Sequence, residues 1–178
     1  MKRSAFTLLE LIIVIVVAGI LAAVMIPRLE RDNLREAANQ VVRHIQYTQH
    51  LAMMNDVYDA GNINWYQNRW SINLCSTDYA VERSNASETA IDQLTQRDIN
   101  GTDNDLADKG VSISPTAGNC RVVFDNLGRP YSFASTPAFV SPTAGLNTAD
   151  KAITLTADGR TATINIVKET GYVQLTLN

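Results

Sequence analysis

The sequence has no excess of basic residues, since 15 lysines and arginines stand against 18 aspartates and glutamates, for a net charge of −3. Such a balance gives no electrostatic indication of a nucleic-acid partner. The chain also lacks a GxSxG, HExxH or P-loop motif and any glycine-rich nucleotide-binding motif. We therefore expect that the protein is not an enzyme; a membrane-anchored hydrolase is the disfavoured alternative.

Cysteine and histidine, the usual ligands of transition metals, are scarce. The chain has two of each, with no CxxC pair among them. His44 and His50 are six residues apart, which places them on different faces of a helix. We therefore expect no shared metal site, and solvated or hydrogen-bonded histidines instead.

One long apolar run stands out against this background. Residues 6–26 read FTLLELIIVIVVAGILAAVMI, and only Thr7 and Glu10 in that run are polar. As a helix, the run reaches about 31 Å, which is roughly one hydrocarbon core. A short basic head, residues 1–5, precedes it.

Three interpretations of this run compete. A cleaved secretory signal fits the basic head, but its apolar region is usually shorter and would not contain Glu10. A plain membrane anchor fits the length, although an unpaired carboxylate there costs about 2–3 kcal/mol. In the third interpretation the head is removed before Phe6, and the carboxylate of one subunit then meets the new amine of the next.

The letters KRSA followed by FTLLELI resemble the class III signal of type IV pilins and type II secretion pseudopilins. The resemblance implies that a prepilin peptidase cuts between Ala5 and Phe6 and methylates the Phe6 amine. It also implies that Glu10 is the assembly residue. The residue before the cut is usually glycine in this family, and here Ala5 keeps the small size.

The resemblance divides the chain into three parts: a leader at residues 1–5, a transmembrane and assembly helix at 6–27, and a periplasmic head at 28–178. It implies a single-pass protein of the bacterial inner membrane that later joins a fibre. Its partners would be other pilin subunits, the prepilin peptidase and the inner-membrane assembly platform. Gly19 and Pro27 predict a flexible or kinked section, although membrane helices tolerate both residues.

The pattern beyond residue 28 predicts that the helix continues with one apolar face. Its stripe has spacings of 4, 3, 4, 3 and 4 and consists of Leu34, Ala38, Val41, Ile45, Thr48 and Ala52. We expect the helix to end near residue 55 and its second half to pack on the head.

Alternating patterns after residue 61 predict antiparallel strands. They cover residues 70–74, 79–83, 111–114, 120–124, 131–133, 152–156, 161–167 and 172–177, with a short helix near 88–96. The Asp158-Gly159 pair between two alternating runs is a strong hairpin signal. We therefore expect the α+β class, with one long N-terminal helix packed on an antiparallel β-sheet head. The resemblance implies that this is the pilin fold, with the first half of the helix transmembrane.

Cys75 and Cys120 form an even pair in a chain whose N-terminal signal exports the remainder, so we expect a disulfide. Two buried free thiols are the alternative. In the chain-entropy description, a disulfide that closes a loop of about 45 residues would stabilise the folded protein by around 4 kcal/mol, because it restricts the unfolded chain.

The head resembles the GspH/FimT-type minor pseudopilins through QYTQHLAM at the end of the helix, a tryptophan-containing strand and the segment VFDNLGRP. This resemblance implies a minor, low-copy subunit of a type IV pilus or a type II secretion pseudopilus. The alternative is a tip or binding module that recognises a secreted substrate or DNA. Against DNA, the basic residues Arg121, Arg129, Arg160 and Lys168 are scattered among acids.

Oxygen ligands for a hard cation such as calcium cluster at Asp98, Asn100, Asp103 and Asp105. Their spacing does not fit an EF-hand, since Lys109 stands where the bidentate glutamate would be. A solvated polar loop is favoured, so we expect no cofactor and keep calcium as the alternative.

Overall fold

The computed structural model describes residues 8–75, 79–85, 88–101, 106–115, 119–133 and 141–178, without the side chains of residues 25–32 and 115. Its elements are α1 (Leu8–Met54), a 3-10 helix (Trp65–Asn68), β1 (Trp70–Asn73), β2 (Ala80–Arg83), β3 (Ser112–Pro115), β4 (Arg121–Phe124), β5 (Pro130–Phe133), β6 (Lys151–Ala157), β7 (Arg160–Ile166) and β8 (Val173–Leu177).

The eight strands form two four-stranded sheets, ordered β2-β1-β4-β5 and β3-β6-β7-β8. Every pair of neighbours is antiparallel. The α+β class and the antiparallel pairing are as expected from the sequence, and the strands divide between two sheets rather than one. The predicted strands match β1 to β8 to within about one residue at each end.

The first element, α1, is an uninterrupted helix of 47 residues. Its backbone stays helical through Gly19 and Pro27, so the chain accommodates both residues without leaving the helix. The flexible section proposed for this interval stays a prediction.

The second half of α1 packs on both sheets, where β1, β6, β7 and β8 contact it. All six members of the predicted stripe are buried. Ala37 and Ala38 are completely buried, and their small side chains allow the helix to approach the strands closely. The apolar periodicity therefore predicted this interface correctly.

The short helix predicted near residues 88–96 is wrong. Thr89 instead forms an isolated β-bridge with Glu82 of β2, and the Ala90 N–H donates to the Val81 carbonyl at 2.8 Å. Residues 88–90 run along the outer edge of β2, which satisfies their backbone groups, and residues 93–95 form a turn. This long-range pairing outweighs the weak local helical preference.

The hairpin between β6 and β7 turns at Asp158 and Gly159, as the Asp-Gly signal predicted. Both residues have positive φ, 50° and 75°, which is what a two-residue type I′ turn requires. Seven cross-strand pairs follow from this turn, ending at Lys151 opposite Ile166.

Candidate assembly helix and the head that supports it

The first half of α1 presents apolar side chains on all sides. Twelve large apolar residues there are each about half exposed or more: Leu8, Leu9, Leu11, Ile12, Ile13, Val14, Ile15, Val16, Val17, Ile20, Leu21 and Val24. An apolar surface of this extent marks an interaction site. No face of residues 8–24 is predominantly polar, a pattern typical of helices that are covered on all sides.

Glu10 is the acidic residue in this apolar half, and it is exposed. It lies four positions after residue 6, so a helix would place it one turn from that position. The predicted cleavage and methylation site, Ala5 and Phe6, lies outside the described residues. The geometry between Glu10 and a mature N-terminus therefore stays a prediction.

Gly19 and Pro27 bound the predicted flexible section. A side chain at Gly19 would meet no atom within 4 Å, so nothing in the described part of the chain requires glycine there. The Pro27 side chain lies outside the description. Across the described residues, no helix reaches the combined length and apolarity needed to cross a membrane.

The disulfide expected from the sequence joins Cys75 to Cys120, with their Cα atoms 4.8 Å apart. Cys75 follows β1 and Cys120 precedes β4, and these two strands are neighbours in the sheet. The Leu74 N–H donates to the Cys120 carbonyl at 2.9 Å beside the bridge. The cross-link therefore fastens two paired strands where their ladder ends.

His44 on α1 is buried and hydrogen-bonded, as expected for an isolated histidine. Its Nδ1 lies 2.6 Å from the Tyr79 hydroxyl, and its Nε2 lies 3.3 Å from Oδ2 of Asp92. Burial lowers the pKa of His44 below its usual value, while the Asp92 carboxylate opposes that shift. The neutral imidazole therefore accepts from Tyr79 and donates to Asp92. Tyr79 is fully buried, and the network links the helix to the head beside a surface pocket lined by His44, Asp92 and Leu94.

Asp125 organises the turn between β4 and β5. Its carboxylate is almost fully buried and accepts from the Leu127 and Arg129 N–H groups at 3.0 and 2.9 Å. It also accepts from the Arg129 side chain and from the Tyr131 hydroxyl. The sequence holds a local signal for this turn, since an aspartate stands three residues before Gly128.

Gln49 on α1 joins the helix to a turn of each sheet. Its Nε2 donates to the Gly128 carbonyl in the β4–β5 turn and to the Thr170 carbonyl before β8, both at 2.9 Å. Gly171 lies against the Gly128 carbonyl. A Cβ added at position 171 would come 2.3 Å from the Gly128 oxygen. Sequence reasoning missed this junction, since the partners of Gln49 are 79 and 121 residues away.

The proposed calcium ligands are only partly described. Asp98 is exposed and Asn100 half-buried, while Asp103 and Asp105 lie outside the described residues. Among the residues that are described, no three histidine, cysteine or carboxylate side chains come together as a metal site. Calcium binding thus stays an untested alternative.

The scattered basic residues are partly committed to ion pairs within the chain. Arg121 is buried and pairs with Glu82, and Arg129 pairs with Asp125 at 2.8 Å. A surface that neutralises nucleic-acid phosphates needs several available cations. These two arginines are therefore poor contributors to such a surface.

Comparison with known proteins finds one family model, the prokaryotic N-terminal methylation motif, which matches residues 1–26. No curated protein and no solved structure matches the chain. The match covers the basic head, the predicted cleavage site, Glu10 and the apolar half of α1. This motif, followed by one long helix on antiparallel sheets, supports membership of the type IV pilin and pseudopilin family.

Proposed function

We propose that the protein is a low-copy structural subunit of a type IV pilus or a type II secretion pseudopilus. The observation that carries this proposal is the first half of α1, which is apolar on every side and has a single carboxylate, Glu10, near its start. Such a helix suits a bilayer and, equally, a bundle of like helices, which are the two environments of a fibre subunit.

Before assembly, the apolar half of α1 holds the subunit in the inner membrane with the head in the periplasm. The prepilin peptidase removes residues 1–5 and methylates the amine of Phe6. The inner-membrane assembly platform then transfers the subunit into the fibre. No step of this proposal uses a catalytic group or a cofactor of the chain itself.

In the fibre, the Glu10 carboxylate of one subunit pairs with the Phe6 amine of its neighbour. Each of these charges is costly among apolar side chains unless an opposite charge lies close by. The pair therefore favours one axial register between neighbouring helices over registers that leave both charges unmatched.

The variant Glu10→Ala tests this pairing. We expect leader removal to be unchanged, because the peptidase acts at Ala5 and Phe6, and incorporation into fibres to fall at least about tenfold, as the loss of 1.4 kcal/mol or more would give. The intact mass of the membrane-bound protein reports cleavage, and its fraction in sheared fibres reports incorporation.

Glu169→Ala is the matched control, since it removes an exposed carboxylate from the head and should leave incorporation unchanged. Fibres that contain Glu10→Ala at the wild-type level would overturn the role of Glu10 in assembly.

A tip module that recognises DNA is the weaker alternative. The four basic residues considered for DNA binding are scattered among acids, and two of them, Arg121 and Arg129, pair with carboxylates of the head. Recognition of a secreted polypeptide does not depend on those residues.

A further inference from the structure

The two sheets have four outer strands, β2 and β5 in one sheet and β3 and β8 in the other. An outer strand exposes a row of unpaired N–H and C=O groups, and proteins usually cover such an edge or interrupt it. Described parts of the chain cover or interrupt three of these four edges. No described part covers or interrupts the edge of β8.

The edge of β2 is covered by residues 88–99. Val81 donates its N–H to the Ile99 carbonyl at 2.9 Å and accepts from the Ala90 N–H at 2.8 Å. Arg83 donates to the Glu88 carbonyl at 2.9 Å. The outward groups of β2 are therefore already paired within the chain.

The edge of β5 is covered by residues 145–147. Ser132 donates its N–H to the Gly145 carbonyl at 2.9 Å, and the Pro130 carbonyl accepts from the Asn147 N–H at 3.1 Å. A β-bridge between Tyr131 and Leu146 lies between these bonds. This loop closes the edge as an additional strand would.

The edge of β3 is short and interrupted. Val111, immediately before the strand, uses its N–H to bond the Leu106 carbonyl at 2.9 Å. The strand ends at Pro115, which has no N–H to offer. An added strand would find little to pair with here.

The register of β8 shows which of its backbone groups point outwards. Val167 donates to the Tyr172 carbonyl and Asn178 donates to the Thr161 carbonyl, both at 2.9 Å. Because bonded and non-bonded pairs alternate along an antiparallel ladder, the even-numbered residues of β8 face β7. The N–H and C=O groups of three residues therefore point to the outer edge: Val173, Leu175 and Leu177.

The side chains of this edge also lack the usual protection. Residues 172–178 read YVQLTLN and contain no charged residue and no proline. The side chain of Val173 belongs to the core that α1 covers, and the partly buried side chain of Leu175 packs against that core. The Leu177 side chain lies on the same face of β8 and is 47% exposed. The apolar face of the strand therefore continues past the part that the core covers.

We propose that the outer edge of β8 is a strand-addition site that binds an extended, uncharged segment of another polypeptide. Alternate residues of that segment would be apolar and lie beside Leu175 and Leu177. Its backbone would exchange hydrogen bonds with Val173, Leu175 and Leu177, which is the mode of recognition by sheet augmentation. This interaction surface goes beyond the proposed structural role. It would select a partner by that partner's extended backbone and by the alternation of apolar and polar side chains along it.

A second copy of β8 is the competing occupant. Two β8 strands could pair antiparallel about Leu175, but such a two-fold contact closes on itself. A fibre grows through contacts that do not close, so we assign the edge to a different segment.

The probe for this site is a seven-residue peptide of alternating threonine and valine with blocked ends. The full-length protein in detergent micelles is measured by residue-resolved amide hydrogen exchange. We expect fast exchange at Leu175 and Leu177 in the free protein and exchange at least tenfold slower with saturating peptide. The same peptide N-methylated at its valines, which loses those donors, should not slow exchange.

The variant Leu177→Pro deletes one outward N–H, and Leu177→Ala is its control because it keeps the N–H and loses the same apolar side chain. We expect Leu177→Pro to bind the peptide at least about fivefold more weakly than Leu177→Ala, as one lost hydrogen bond allows. Slow exchange at Gln174, which faces β7, shows that β8 remains folded in both variants.

Three results would overturn the proposal. Slow exchange at Leu175 and Leu177 in the free, dilute protein would mean that the chain covers this edge itself. Unchanged exchange with peptide would mean that the edge does not accept a strand. Protection that rises with protein concentration alone would assign the edge to a second copy.

Discussion

At the scale of single residues, the junction around Gln49 brings two backbone turns into close contact. Gly128 and Gly171 both have positive φ, 78° and 66°, and the Gly171 backbone lies against the Gly128 carbonyl. The two turns come from different sheets, and the Gln49 amide bonds one carbonyl in each. This group therefore fixes where α1 meets both sheets.

We predict that Gly171→Ala destabilises the protein by about 3 kcal/mol, because the new Cβ adds a backbone clash to the strain of positive φ. Gly159→Ala is the control, since Gly159 also has positive φ, 75°, but a Cβ there meets nothing within 4 Å. It should cost only about 1–2 kcal/mol. Denaturant unfolding of the full chain in detergent measures both; equal losses would contradict the role of the junction.

The His44 network predicts a pH dependence of stability. The folded protein holds the pKa of His44 below its ordinary 6.5, mainly through burial, so the unfolded chain binds more protons near that pH. The stabilisation is complete above pH 6.5 and is lost as the pH falls through the folded pKa. From this one group, the free energy of unfolding cannot change by more than about 1.4 kcal/mol per pH unit.

We therefore expect the melting temperature to fall more between pH 7.5 and 5.5 in the wild type than in His44→Gln, which does not titrate. The exposed His50, replaced in His50→Gln, should leave the wild-type pH dependence intact. If His44→Gln and the wild type lose stability in parallel, the buried imidazole is not the titrating group.

At the scale of elements, the sequence predicted those parts of the fold that depend on local periodicity. The six-residue stripe of α1 is buried as expected, and the Asp158-Gly159 turn forms its hairpin. The segment 88–99 could not be predicted in this way, because its conformation depends on the edge of β2. The Gln49 junction and the coverage of the strand edges could not be predicted either, because they too depend on contacts between residues far apart in the sequence.

The candidate assembly helix could be predicted from the sequence, whereas the arrangement of the two sheets could not. The apolar run and Glu10 are visible in the sequence because they lie in one continuous segment whose other side chains are almost all apolar. Division of the strands between two sheets has no such local signal. That no described segment covers the outer edge of β8 follows only from knowing which segments cover the other three edges.

The disulfide is an element-scale link between β1 and β4. We predict that the double variant Cys75→Ser and Cys120→Ser loses about 2–4 kcal/mol of stability, because the unfolded chain regains the freedom of a loop with a sequence separation of 45. Denaturant unfolding measures the loss. A reductant should destabilise the wild type to a similar extent and leave the double variant unchanged; a reductant effect on that variant would point to another cause.

At the scale of the whole molecule, the chain combines two unlike parts along one helix. Residues 8–24 form an apolar rod, and residues 34–52 of the same helix form one wall of a cross-linked head. The rod has no covering in the described chain, so its surroundings complete the structure. This division suits the proposed role as a fibre subunit, with the rod in the bundle of helices and the head at the fibre surface.

The central claim is that the chain is a processed pilin-type subunit, and the mass of the protein from its native membrane tests it most directly. Intact-mass measurement with N-terminal fragmentation should find a chain that begins at N-methylated Phe6 and is two hydrogens lighter than the reduced form. A chain that still begins at Met1 in cells with an active prepilin peptidase would contradict the account, including the pairing proposed for Glu10.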